Sequence, residues 1–271
     1  ENRTGLTHNM GFQTSLARED FEGQGYKQAG YWGMDEMALV GGTLEWLDTL
    51  EDEPVFVTML TSTTHDPYLG PGRTAGESPE ADHLDALALV DEAFGQLVEG
   101  LKERGRLENS LLVVIGDHGE AFGEHRRSYH DLVPFEEVTR VPLILWGPNW
   151  VGAPRLDSSL RSIVDLLPTL LDVTGVDWEG ELAGSSLLEP QGHEEVITAC
   201  WMSNSCSTLR RGDTKWVYYF GRRPTKVFDL VADPYEENDI AGSQGPEEVR
   251  AVERLLLEHQ MAGDLWWESQ P

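Results

Sequence analysis

The run Leu111-Leu112-Val113-Val114-Ile115-Gly116-Asp117-His118-Gly119 decides how this chain is read. Five apolar residues in a row, three of them β-branched and none alternating with a polar one, predict a strand buried on both faces. The strand ends in two glycines that flank an Asp-His pair. Glycine lets the backbone turn sharply there, so both side chains can face a crevice. In open α/β sheets that crevice, beyond the carboxyl ends of the strands, is where ligands bind. A carboxylate with an imidazole suits Zn or Mn, whereas Ca would want more oxygen ligands. A strand-end Asp is also a common helix cap, so the pair alone does not decide the chemistry.

Working outward, Pro54–Leu60 and Val141–Trp146 have the same apolar texture and predict two further buried strands. The first empties into the polar loop Thr61–Tyr68, which delivers His65; His125 and His130 follow Asp117 and His118. Trp32–Leu50 reads as a helix. Leu84, Leu87, Val90, Phe94, Leu97 and Leu101 fall at helical spacing, with Gly105 as the stop. Ile163–Val173 reads as a helix despite Pro168. Strands alternating with helices, each strand apolar throughout, predict an α/β protein with a mostly parallel central sheet covered on both faces. After about Glu194 the texture changes. Val196–Ala199, Lys215–Phe220 and Lys226–Leu230 suggest a small antiparallel sheet, and a helix is expected over Pro246–Met261. The expected organisation is therefore an α/β region over 1–190 and a small α+β subdomain, an antiparallel sheet with a terminal helix, over 191–271.

Of the 271 residues 39% are hydrophobic, enough for a large core, and the net charge is −28 from 48 acidic against 20 basic side chains. Such a surface repels nucleic acid and anionic membranes. Acidity with few lysines is also what high salt favours. No stretch approaches the roughly 18 apolar residues of a membrane span, and Glu1–Thr4 does not open a signal peptide. The absence of an initial Met raises the expectation of an upstream segment. Cys200 and Cys206 have no metal-type spacing; a small disulfide loop and two buried thiols are both compatible with them. A lone histidine in a polar loop is more often a hydrogen-bonding residue than a ligand. His8, His83, His193 and His259 are expected to be solvated, and His125 to be a hydrogen-bonding loop residue.

The segment Asn109–His125, with its Gly-Asp-His-Gly-Glu core, resembles the signature of the sulfatase and alkaline-phosphatase superfamily. So do Thr64-His65-Asp66-Pro67-Tyr68 and the Arg140-Val141-Pro142 strand. Val164-Asp165-Leu166-Leu167-Pro168-Thr169 and Val227-Phe228-Asp229-Leu230 with Asp233-Pro234-Tyr235-Glu236-Glu237-Asn238 complete the set, five motifs in the family's order over about residues 30–240. The resemblance implies an alkaline-phosphatase-like α/β/α sandwich and metal-dependent hydrolysis of a sulfate ester. Phosphoryl hydrolysis or transfer, of the phosphonate monoester hydrolase or phosphoethanolamine transferase type, is the alternative, and a catalytically degenerate binding protein is the alternative of another class.

By that resemblance Asp117 and His118 are ligands of a divalent cation (Ca, Mn or Zn), which acts as a Lewis acid on the ester. His65 is similar to the histidine that contacts the sulfuryl or phosphoryl oxygens and protonates the leaving group. His130, thirteen residues after Asp117, matches a histidine of the transferases and tilts the reading toward phosphoryl chemistry. The family's first metal carboxylate and its nucleophile lie upstream of the matched motifs. Neither Cys200 nor Cys206 is followed by x-Pro-x-Arg, as a sulfatase nucleophile would be. The expectation is thus a chain that is incomplete on its N-terminal side and inactive alone. Its partners would be a missing N-terminal segment of the same protein and a sulfate or phosphate ester on a small molecule, glycan or lipid. Neither nucleic acid nor a membrane contact is expected, and the family favours an extracytoplasmic location.

Overall fold

The computed structural model describes residues 3–29, 33–130, 133–200 and 205–269. The chain divides into two compact units, Glu1–Ser110 and Leu111–Pro271.

The first unit opens with helix α1 (Arg3–Asn9) and a short antiparallel pair, β1 (Gln28–Ala29) with β2 (Gly33–Met34). Helix α2 (Glu36–Asp48) begins where the Asp35 carboxylate accepts the Ala38 amide at 3.1 Å. Trp32, where the helix was expected to start, lies outside the described residues. Helix α3 (Pro79–Glu103) is capped by Ser78, carries Pro79 in its first turn and gives way at Gly105, whose φ of +66° suits glycine. α2 and α3 pack closely: a Cβ on Gly100 would stand 2.4 Å from the Leu44 side chain. Ala86, Ala93, Leu97, Gly100 and Leu101 form the buried face of α3, while Leu84 and Leu87 are exposed. The expected stripe is therefore rotated toward the small residues at 86, 93 and 100, because only these admit a neighbouring helix so near.

Pro54–Leu60 does not form the expected buried strand. It pairs with no strand among the described residues, and Phe56 and Leu60 are 66% and 76% exposed. Apolar, β-prone residues favour extended backbone, but a strand exists only where a neighbour completes its ladder.

In the second unit β3 (Leu112–Ile115) pairs with β4 (Leu143–Trp146), with helix α4 (Glu136–Thr139) in the connection between them. The pairing is antiparallel, as are all ladders among the described residues, in place of the expected parallel order. A parallel neighbour needs a crossover that carries the chain back to the strand's starting end. The described residues between β3 and β4 form loops, a 3₁₀ turn and one short helix, and β4 starts at the carboxyl end of β3, where Leu143 pairs with Ile115. The mixed helix and sheet content is that of an α/β protein, as expected.

Helix α5 (Leu166–Thr174) follows a single 3₁₀ turn and accommodates Pro168 in its first turn, where amide donors have no helical acceptor anyway. Then β5 (Glu195–Ala199), β6 (Ser207–Arg211), β7 (Thr214–Tyr218) and β8 (Lys226–Asp229) form an antiparallel meander. Helix α6 (Pro246–Glu268) continues past the expected end at Met261. One face of the meander packs Leu209, Trp216 and Val227 on Val252 and Leu256 of α6. The other gathers Val217, Tyr219 and Phe228 with Val133, Phe135 and the cysteines 200 and 206. Strand β6 escaped the sequence reading because its buried Ser207 and Thr208 look polar; their hydroxyls bond the Thr198 carbonyl. No helix among the described residues is long and apolar enough to cross a membrane.

Candidate functional site

β3 delivers Asp117 and His118 directly beyond its last residue. The Gly116 amide donates to the Pro142 carbonyl at 3.2 Å, and the Gly119 amide to Val138 at 2.8 Å, so the turn is fastened at both ends. Gly119 is required for steric reasons: a Cβ there would lie 2.1 Å from the Glu137 carbonyl oxygen. Within the turn Asp117 accepts the His118 amide at 3.0 Å. His118 Nδ1 faces the Gly119 carbonyl at 2.8 Å. A carbonyl only accepts, so the proton sits on Nδ1 and the Nε2 lone pair remains available. That Nε2 stands 3.6 Å from Asp117 Oδ2, and both side chains are open to solvent.

His130 joins them. Its ring stacks on His118 with centroids 3.9 Å apart, and its Nδ1 meets Glu120 at 3.2 Å. The carboxylate holds Nδ1–H and leaves Nε2 on the far side of the ring. His125 plays a different part. Its two nitrogens face Glu137 at 2.8 Å and the Glu236 carbonyl at 3.1 Å, and its ring lies on Phe135 at 3.7 Å. With both nitrogens engaged it has no lone pair for a metal, in keeping with the hydrogen-bonding role expected of it. It ties the 117–130 loop to the meander.

A buried ion-pair network supports the same loop from beneath. Lys215 reaches Glu136 at 3.1 Å and Glu236 at 3.2 Å, Arg210 reaches Glu136 at 3.1 Å, and the Glu136 amide donates to Glu236 at 2.6 Å. Glu236 and Lys215 are each 2% exposed. These acids set the start of α4, the helix whose Glu137 and Val138 backbone underlies Gly119. Burial pushes the Glu236 carboxyl above its ordinary range, and Lys215 opposes that rise.

His65 belongs to the first unit. Its loop is anchored by the buried Glu36 at the start of α2, which accepts the amides of Ser62 and Thr63 at 2.8 Å each and the Thr63 hydroxyl. Tyr68, buried with φ of 60°, sets its ring edge-on to His83 at 5.2 Å. His65 itself is half-buried, with Nδ1 against the Asp66 carbonyl at 2.9 Å.

The structure thus brings Asp117, His118 and His130 together in one loop, while His65 lies in the first unit. Sequence reasoning missed Glu120, Glu36 and the Glu136–Lys215–Glu236 network. Glu120 stood next to the quoted pair, but carboxylates separated by up to a hundred positions leave no local signal. His193 is not solvated as expected: its Nε2 bonds the fully buried Asp165 at 2.7 Å. His83 packs on Tyr68 and also departs from that expectation. His8 and His259 are exposed, as anticipated. Cys200 and Cys206 form a disulfide, which removes both from any role as a thiol nucleophile.

A cation fits part of what is present. Two donor atoms 3.6 Å apart, one with its tautomer fixed, can share an ion at bond lengths of about 2.0–2.2 Å. Among the described residues no group of three or more such side chains converges.

The profile of the sulfatase family matches residues 1–176. The chain belongs to the sulfatase family. It is 29% identical over 187 residues to arylsulfatase K of Bos taurus, covering 62% of this chain and 34% of that protein. It is 28% identical over 196 residues to an N-acetylglucosamine-6-O-sulfatase of Bacteroides thetaiotaomicron, covering 66% and 35%. The chain therefore spans about a third of the length of these curated relatives. A protein solved with its substrate D-glucosamine-2-N,6-O-disulfate superposes at a TM-score of 0.56 with 26% identity, over 70% of this chain and 41% of that one. The fold is the alkaline-phosphatase-like α/β fold of this family.

Proposed function

We propose that this chain carries the cation- and substrate-binding part of an enzyme that hydrolyses sulfate esters, with a sulfated glycan as substrate. The observation that supports it most is the strand-end pair Asp117–His118, its free Nε2 3.6 Å from the carboxylate and its ring stacked on His130. Two of the similar proteins are named for sulfated amino sugars. When bound, a divalent cation would polarise a sulfate oxygen and offset the negative charge of the ester. Asp117 and His118 would hold it, and the Gly119 carbonyl keeps the His118 ring oriented to do so. His130, with its Nδ1–H held by Glu120, would support the substrate beside the cation. His65 would contact the sulfuryl oxygens and protonate the leaving group. The nucleophile would come from a segment outside these residues, since both cysteines are spent in the disulfide. That disulfide suits an oxidising, extracytoplasmic compartment.

The test is a titration of the 271-residue chain with Mn²⁺, read by electron paramagnetic resonance. Asp117→Asn and His118→Gln should each weaken binding at least tenfold, and affinity unchanged in both would overturn the assignment. An N-terminal sulfatase segment supplied in trans should then restore turnover of an aryl sulfate. Because His130 also matches the transferases, the same assay run on an aryl phosphate decides between the two esters.

A further inference from the structure

In a chain of net charge −28, uncompensated cations stand out, because the surrounding field repels anions everywhere else. Several arginines of the second unit are neutralised or tied down: Arg161 by Asp157, Arg210 by Glu136, Arg211 by Glu195 and Arg155 by the Leu187 carbonyl. Arg126, Arg127, Arg222 and Arg223 are not. Among the described residues their guanidiniums take part in no ion pair or hydrogen bond, and Arg223 lies over the Tyr219 ring, 5.7 Å from its centroid.

The two pairs come from different parts of the chain but border one cluster. Tyr219, beneath Arg223, shares its apolar cluster with Phe135 and Phe228. His125, just before Arg126, stacks on Phe135, and the Lys226 ammonium sits 6.0 Å from the Phe228 ring. Burial raises the Tyr219 phenol, and Arg223 and Arg127 both stand near enough to counter that rise.

Both turns that present these arginines hold non-glycine residues in the left-handed region. His125, Arg126 and Tyr129 have φ of 51°, 58° and 70°, and Phe220 has φ of 50° ahead of Gly221 at 75°. Such backbone persists only where its surroundings over-determine it. Here the His125 bonds to Glu137 and Glu236 fix the first turn, and the Arg222 amide bonded to the Tyr219 carbonyl closes the second. These turns fix the backbone that carries the four arginines, so only their side chains must order when they meet an anion.

We propose that Arg126, Arg127, Arg222 and Arg223, flanked by Lys226, recognise sulfate groups of a polysulfated glycan other than the ester that reacts. The proposal rests on the sulfate-ester reading above and names its substrate more closely. A guanidinium matches a sulfate's oxygens with two parallel donors, which an ammonium cannot do. Arg127 stands three residues before His130, so the rim adjoins the loop of the candidate site. A substrate with one sulfate at that site and further sulfates along the chain could engage both.

The test uses the full chain and a heparin-derived hexasaccharide as probe, titrated by calorimetry in about 0.15 M salt. Arg126→Gln/Arg127→Gln and Arg222→Gln/Arg223→Gln should each weaken binding about tenfold or more, and the desulfated hexasaccharide should not bind. Their circular dichroism and Mn²⁺ affinity should match the parent chain. Asp117→Asn should lose Mn²⁺. If the arginine variants bind the hexasaccharide as the parent does while Asp117→Asn loses Mn²⁺, the rim is wrong and the sulfatase reading stands. If the arginine variants lose the hexasaccharide while Asp117→Asn and His118→Gln keep Mn²⁺, the cation site is wrong and the rim stands as a glycan site. An oligonucleotide of matched charge that binds as tightly as the hexasaccharide would show charge attraction alone and overturn the proposal.

Discussion

At the scale of single residues, the most consequential atoms are ones that no motif would select. Lys215 sits between the buried Glu236 and the partly buried Glu136, and removing it leaves Glu236 with one amide donor in place of a cation. Breaking one side of a buried pair costs about 3–5 kcal/mol, more than the pair contributes when intact. Lys215→Met should therefore lower the unfolding free energy in urea by that amount. Lys215→Met/Glu236→Gln should recover a good part, and a double variant as unstable as the single would refute the pairing. The pH dependence has a definite sign. Glu236 is raised from its ordinary 4.5, first by burial, so the folded state binds more protons than the unfolded one between those two values. Stability from this group is complete below about 4.5 and declines as pH climbs through the folded value. Glu236→Gln should flatten the pH–stability curve in that window. The grouping of Asp117, His118 and His130 in one loop was readable because it follows local spacing. The bonds of His193 to Asp165, and of His125 to Glu236, join positions far apart in the chain and were not.

At the scale of elements, glycine positions separate steric need from mere tolerance. Gly119→Ala drives a Cβ into the Glu137 carbonyl, a backbone atom that cannot swing aside. Overpacking of this kind costs about 1–3 kcal/mol or more, and it should also weaken Mn²⁺ binding by displacing the turn. Gly95 lies within α3 with nothing inside 4 Å of its would-be Cβ, so Gly95→Ala should be neutral or stabilise by up to about 1 kcal/mol. A matched pair of thermal melts checks both, and equal losses would contradict the close approach at Gly119. The disulfide links the residue after β5 to the residue before β6 across a separation of six residues. Closing so short a loop is worth about 2 kcal/mol in chain entropy. Cys200→Ser/Cys206→Ser should lose at least that, since it also places hydroxyls in the apolar cluster of Val217 and Phe228. Helices were legible wherever caps and periodicity agreed, as in α2, α3 and α5. Strand Pro54–Leu60 misled because its composition predicts extension without naming a partner. Strand β6 was invisible because Leu209 is its one apolar residue, and its buried Ser207 and Thr208 are covered by neighbouring elements.

At the scale of the molecule, charge is the dominant fact. Folding gathers 48 carboxylates and 20 cations into a smaller volume than the unfolded chain occupies, so self-repulsion opposes the compact state. Added salt shortens the Debye length from about 30 Å at 0.01 M to about 3 Å at 1 M and relieves that repulsion. The melting temperature should rise across this range in NaCl and equally in KCl. A gain of about 1–2 kcal/mol corresponds to roughly 2–8 °C for a chain of this size. Asp117→Asn should show the same slope, which separates general screening from occupation of the candidate cation site. Binding of the sulfated hexasaccharide should respond in the opposite direction, because the attraction between sulfate and arginine is screened by the same ions. Over one salt series the chain should thus become more stable while its affinity for the glycan falls. A melting temperature that stays flat or drops with salt would mean that the acidic side chains are already compensated in the folded state, and that the repulsion assigned to them here is not what limits its stability.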